Sequence, residues 1–97
     1  MKKIEEIKSK LEELKPILKE KFKVKSIGVF GSYIRGEEKE KSDLDILVKF
    51  EEPVSLLKFI ELENYLSDSI GVKVDLVMKS ALKPRIGKHI LEEVVNI

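Results

Sequence analysis

The chain has no cysteine, which excludes disulfide bridges and thiolate metal sites. Its single histidine, His89, has no companion nitrogen or sulfur donor nearby in the sequence, so carboxylates are left as the ligands for any metal ion. No apolar run reaches the roughly 18 residues of a membrane-spanning helix. The lysine-rich start is followed by no signal-peptide core, so the expectation is a soluble, cytoplasmic chain with no membrane contact. An excess of one charge is also missing. Nineteen Lys and Arg against eighteen Asp and Glu leave a net charge of +1, which argues against a wide electrostatic footprint for DNA or RNA. There is no internal repeat and no low-complexity linker. At 97 residues and 42% hydrophobic content, the chain predicts one domain, 1–97, with a modest core and no separate substrate domain. Whatever it acts on must come to it.

What is present concentrates between Gly28 and Lys49, GVFGSYIRGEEKEKSDLDILVK. From Ser42 on the pattern alternates. Leu44, Ile46, Val48 and Phe50 fall on one face of a strand, and Asp43, Asp45, Leu47 and Lys49 fall on the other. Two carboxylates side by side repel and raise each other's pKa unless a cation intervenes. Both are hard oxygen ligands suited to one or two magnesium ions. Upstream, Gly31-Ser32 closes the short apolar run Ile27 to Phe30. A glycine there lets the backbone turn and lets a phosphate approach main-chain N–H groups. Ser32 is expected to cap a helical turn through Tyr33, Ile34 and Arg35. Arg35 adds a permanent charge that can meet an anion or brace an aspartate, and Tyr33 could stack on a base or pack on the loop.

The rest of the chain reads as scaffold. Ile4, Ile7, Leu11, Leu14 and Leu18 mark an amphipathic helix over about Lys3–Lys21, expected to kink or divide near Lys15 because Pro16 lacks a donor. Val24–Phe30 reads as a first strand, Glu37–Lys41 as a solvated loop and Asp43–Phe50 as a second strand. Pro53 is suited to the first turn of a helix whose apolar face is Leu56, Leu57, Ile60, Leu62 and Leu66, stopped by Gly71. About twenty residues between strands suffice for a helical crossover to a parallel neighbour, Lys73–Met78. Asp75 would then lie beside Asp43 and Asp45. Pro84 opens a last helix with Ile86, Ile90, Leu91, Val94 and Val95 on its apolar face.

Gly-Ser, ten residues and Asp-x-Asp together resemble the signature of the DNA polymerase beta nucleotidyltransferase superfamily. GSYIRG followed by SDLDILV resembles the minimal nucleotidyltransferases, the small antitoxin halves of HEPN/MNT toxin–antitoxin pairs. The likeness covers roughly Val24–Met78, with a weaker echo in LKPRIGKHILEEV. It implies an α/β (α+β) nucleotidyltransferase fold, a short mixed sheet flanked by helices. It also implies transfer of AMP from ATP to a hydroxyl, with release of pyrophosphate. Asp43, Asp45 and Asp75 would be catalytic and would hold two magnesium ions; Gly31, Ser32 and Arg35 would bind the nucleotide's phosphates. The implied acceptor is a tyrosine of a HEPN toxin, a helical ribonuclease held in a hetero-oligomer. A small-molecule nucleotidyltransferase and a non-catalytic antitoxin acting by binding alone are the other readings.

Overall fold

The computed structural model describes residues 4–97. The first helix, α1, runs Ile4–Phe22; Lys3, where the sequence pattern begins, lies outside the described residues. Its buried stripe is Ile7, Leu11, Leu14, Leu18 and Phe22, the three- and four-residue spacing that keeps apolar side chains on one face. The division expected at Pro16 does not occur, and the helix is continuous through it. Pro16 is exposed, so its ring meets no packed neighbour and the orphaned carbonyl one turn back can turn to water. Lys23, at φ 59, is the left-handed residue that reverses the chain into the sheet.

Strand β1 spans Val24–Phe30, β2 Leu44–Phe50, β3 Val74–Met78 and β4 Val95–Asn96. Among the described residues they form one sheet in the order β3-β2-β1-β4. β1 runs antiparallel to β2 and β4, and β2 is parallel to β3. A bulge at Val24/Ser26 brings Val24 and Ile27, three residues apart, onto the same buried face. Between β1 and β2 a short helix, α2, covers Ser32–Arg35. Helix α3, Leu56–Ile70, crosses from β2 to β3, and α4, Pro84–Glu93, follows a single 3-10 turn at Lys79–Ala81.

One face of the sheet carries the core. Ile27, Val29, Leu44, Ile46, Val48, Val74 and Leu76 pack there with the stripe of α1 and with Leu62, Leu66 and Ile70 of α3. On the opposite face Leu47 is also buried, next to Leu91 and Val94 from the C-terminal segment. Two expectations about helix faces fail. Pro53 precedes α3, which is capped by Ser55 accepting a hydrogen bond from the Lys58 amide at 3.2 Å. Leu57 and Ile60 fall on the helix face turned away from Leu62 and Leu66, and Leu56, Leu57 and Ile60 are 74%, 80% and 42% exposed. The face of α3 that lies over the core carries Phe59, Leu62, Leu66 and Ile70, and Gly71 at φ 88 ends the helix. Likewise α4, expected to lie against the sheet or in part against another protein, buries only Gly87, with Ile86 and Leu91 exposed. The chain then leaves the helix at Val94 to pair β4 with β1, Val95 opposite Val29 and Asn96 opposite Gly28. None of the described helices is long and apolar enough to cross a membrane.

The outer edge of β3 is sealed by side chains of α3. Ser67 Oγ accepts from the Val74 amide at 3.0 Å, and Glu63 Oε2 accepts from the Leu76 amide at 2.9 Å. An edge strand otherwise offers unpaired amides to a foreign strand. Here those amides lock β3 to its own crossover helix and so fix where Asp75 sits.

Candidate active site

Asp45 lies at the centre of the polar cluster. It is Asp75's partner in the parallel β2–β3 register and Phe30's partner in the antiparallel β1–β2 register. Register partners project to the same side of a sheet, so Asp45 and Asp75 are cross-strand neighbours. Gly31, the residue after Phe30, turns the chain at φ 85, ψ −156 directly against Asp45. A Cβ at Gly31 would collide with Asp45 Oδ2 and stand 2.9 Å from its Cγ. The close approach therefore requires glycine twice over, for backbone angle and for space. Asp43 precedes β2 instead of belonging to it, because the strand starts at Leu44. It is half-buried and close enough for its charge to act on Asp45.

Electrostatics single out Asp45. Its pKa is raised from 3.8 to about 6, first by burial, then by the charges of Asp75 and Asp43 and a smaller push from Glu93, against an opposing pull from Arg35. Carboxylates stacked without enough counter-charge behave this way, and such perturbation marks candidate functional groups. Among the described residues no three acidic or histidine side chains already stand close enough together to hold a metal ion. The donor set nevertheless fits a hard divalent cation. It is all oxygen, and it includes a half-buried carboxylate whose charge is under-compensated.

The nucleotide-binding candidates are arranged differently from expectation. Ser32 is the first residue of α2 and not its cap; Gly31 takes the cap position, its carbonyl accepting from the Ile34 and Arg35 amides at 3.0 and 3.1 Å. A β-region backbone suits a serine cap, but here the chain turns one residue earlier. Tyr33 is 2% exposed and part of the core cluster, so it cannot serve as a base-stacking platform. Burial, then Glu38 and Asp43, push its phenol upward. Arg35 is exposed and held by two carboxylates, its Nε donating to Glu37 and its Nη1 to Glu93 at 2.6 Å. Those two hydrogen bonds, Glu37 first, raise its pKa. The segment Glu37–Lys41 is the solvated loop its charge implied, with every residue but Glu38 exposed. Glu37 pairs with Arg35, and one oxygen of Glu38 is buried with no hydrogen-bond partner.

Glu93 was invisible in the sequence. Its Oε2 accepts from the Gly31 amide at 3.0 Å while its Oε1 accepts from Arg35. Burial alone would raise its pKa, but the Arg35 hydrogen bond, the Gly31 amide and the guanidinium charge together lower it. In LEEVVNI it looks like a solvent-facing helix residue; only the pairing of β4 with β1 brings it to the bend. His89 is exposed, and among the described residues it belongs to no cluster of three metal-binding side chains.

The model of the nucleotidyltransferase domain family matches residues 11–97. A protein adenylyltransferase MntA of Thermococcus cleftensis is 62% identical over 94 residues, spanning 97% of this chain and 95% of the relative. A solved structure provisionally named as a minimal nucleotidyltransferase superposes with a TM-score of 0.84 at 34% identity, over 99% of this chain and 97% of that one. A crystal structure of a toxin–antitoxin with AMP-PNP matches with a TM-score of 0.75 at 25% identity, over 91% of this chain and 69% of that one.

Proposed function

Because the chain belongs to the nucleotidyltransferase domain family, we propose that it transfers AMP from ATP to a hydroxyl of a partner protein, releasing pyrophosphate. The acceptor in this reading is a tyrosine of a cognate HEPN toxin in the same cytoplasm, silenced by the modification. Two similarities support it: the relative named as a protein adenylyltransferase, and the toxin–antitoxin structure with bound nucleotide. The observation that carries the chemistry is the Asp45 carboxylate, set between Asp75 and the Gly31 bend with too little positive charge around it.

Asp43, Asp45 and Asp75 would hold two magnesium ions. When bound, these would neutralise triphosphate charge and polarise the acceptor oxygen. Asp75, the exposed member of the three, orients the incoming hydroxyl and takes its proton as the oxygen bonds to the α-phosphorus. Ser32 Oγ and the remaining N–H groups of Arg35 hold the outer phosphates, since the Gly31 amide is already engaged by Glu93. Positioning and charge neutralisation supply the rate, and no covalent protein intermediate is needed.

The test is the double substitution Asp43→Asn and Asp45→Asn, which preserves shape and removes charge. With labelled ATP, magnesium and the co-expressed helical partner, wild type is expected to label the partner, and the double variant to fall by at least about a thousandfold. Undiminished labelling in the variant refutes the assignment. Label on a small molecule, or none, points to the antibiotic-modifying or the binding-only alternative.

A further inference from the structure

Outside the three aspartates, one contact ties the C-terminal segment to the site. The Glu93 carboxylate bridges the Gly31 amide and the Arg35 guanidinium, one oxygen to each, at 3.0 and 2.6 Å. These are the bend and the cation on which phosphate recognition depends in the reading above. We infer that Glu93 is a positioning residue: it fixes the Gly31-Ser32 bend and aims Arg35, so that the nucleotide's phosphates meet a prearranged site. The inference rests on the nucleotidyltransferase reading and deepens it.

Three features argue for positioning over incidental contact. First, Glu93 is seated by backbone pairing. It is the last residue of α4, and two residues later Val95 pairs with Val29, two residues before Gly31. The fit is close, because a Cβ at Gly28 would stand 2.6 Å from Val94 Cγ2. Second, Arg35 is held from two sides, Nε by Glu37 and Nη1 by Glu93. An exposed arginine otherwise samples many rotamers, and ordering it in advance removes that cost from ligand binding. A planar guanidinium held at Nε and Nη1 still offers its remaining N–H groups in fixed directions. Third, Gly31 sits at φ 85 with its amide directed at a carboxylate, which holds the bend in the one conformation that also clears Asp45.

A carboxylate at this point could instead act as an internal competitor, an anion occupying the groups a phosphate would use. The two roles differ in sign. Binding of magnesium with an ATP analogue carrying a methylene between the α- and β-phosphorus reads affinity without turnover, and denaturation reads folding. Positioning predicts that Glu93→Ala weakens analogue binding on the order of tenfold, with Glu93→Gln, which retains an acceptor, weakening it only about threefold. It also predicts non-additivity: Arg35→Ala plus Glu93→Ala loses less than the two single losses combined, because only the hold on the Gly31 bend is left to lose once Arg35 is gone. In transfer assays the Glu93→Ala loss falls on KM for ATP, with kcat within about twofold of wild type. Unchanged or tighter binding by Glu93→Ala, or additive losses in the double variant, overturns the inference. Should Glu93→Ala fail to fold, Glu93→Gln decides: weaker binding supports the inference, and wild-type affinity overturns it. If wild type itself does not bind the magnesium analogue, the nucleotidyltransferase reading fails and the inference falls with it. Wild-type binding with indifferent Glu93 variants sinks the inference alone.

Discussion

Replacing Asp45 by Asn is expected to make the protein more stable near neutral pH while removing its activity. The carboxylate's pKa rises from 3.8 to about 6 on folding, burial first and then Asp75 and Asp43. A raised carboxylate pKa means that the folded state binds the proton more tightly than the unfolded chain, so stability is lost as pH climbs from about 4 through about 6 and then levels off. Each tenfold change in acidity is worth about 1.4 kcal/mol, so the full displacement corresponds to about 3 kcal/mol. Asp45 is only half-buried, and solvent screening reduces that to roughly 1–2 kcal/mol. Asn has the shape of the protonated acid and carries none of this penalty. For a chain of this size the gain at pH 7.5 amounts to a rise in Tm on the order of 5–10 °C.

The assay is thermal unfolding of wild type and Asp45→Asn from pH 4 to pH 8 in a chelating buffer. The two curves should converge near pH 4 and separate through pH 6, with the variant higher. Equal Tm values at pH 7.5, or a gap that widens on acidification, would refute the claim that Asp45 is an under-compensated charge. Adding magnesium to wild type should close the gap from below if the carboxylates receive a cation, and should leave the variant nearly unmoved.

Three further substitutions check the frame. Gly31→Ala should destabilise by roughly 2–4 kcal/mol in denaturant titration and abolish analogue binding, because it combines a disfavoured backbone angle with a collision at Asp45. Leu66→Ala should cost about 2–5 kcal/mol, since Leu66 is fully buried beneath the sheet. Leu57→Ser should stay within about 0.5 kcal/mol of wild type despite removing a larger apolar group than many core changes, because Leu57 is mostly in solvent.

Periodicity carried most of the fold. The α1 stripe and the first three strands follow from spacing that recurs over several residues, and the parallel pairing of β2 with β3 follows from the length of the connector between them. The errors lie where spacing is silent. Leu56, Leu57 and Ile60 continue an apolar pattern, but α3 turns Phe59, Leu62, Leu66 and Ile70 to the core instead, and which of two adjoining apolar stripes meets the sheet depends on how the helix is seated. Pro16 looked like a break because the rule concerns the backbone; its tolerance depends on which face it occupies. β4 is two residues long, too short for any alternation, and exists because β1 offers a free edge. Glu93 went unseen for the same reason. The neighbourhood of Gly31, Asp45 and Asp75 was foreseeable from strand order, whereas the bracing of Arg35 was not.

Keeping Asp45 opposite Asp75 poses a mechanical problem, because like charges on paired strands favour any slip that parts them. A one-residue slip of β3 would turn Asp75 to the other face and expose Val74 and Leu76. The amides of those two buried residues are the ones held by Ser67 and Glu63 of α3. Slippage would therefore break both side-chain bonds at once and strip two core residues of their packing. On the other side, β4 closes the free edge of β1, next to the Gly31 bend. The repelling pair is thus confined by apolar burial on one face and by hydrogen bonds to α3 along the sheet's edge. With the register unable to yield, the remaining way to relieve the repulsion is a bound proton or a bound cation.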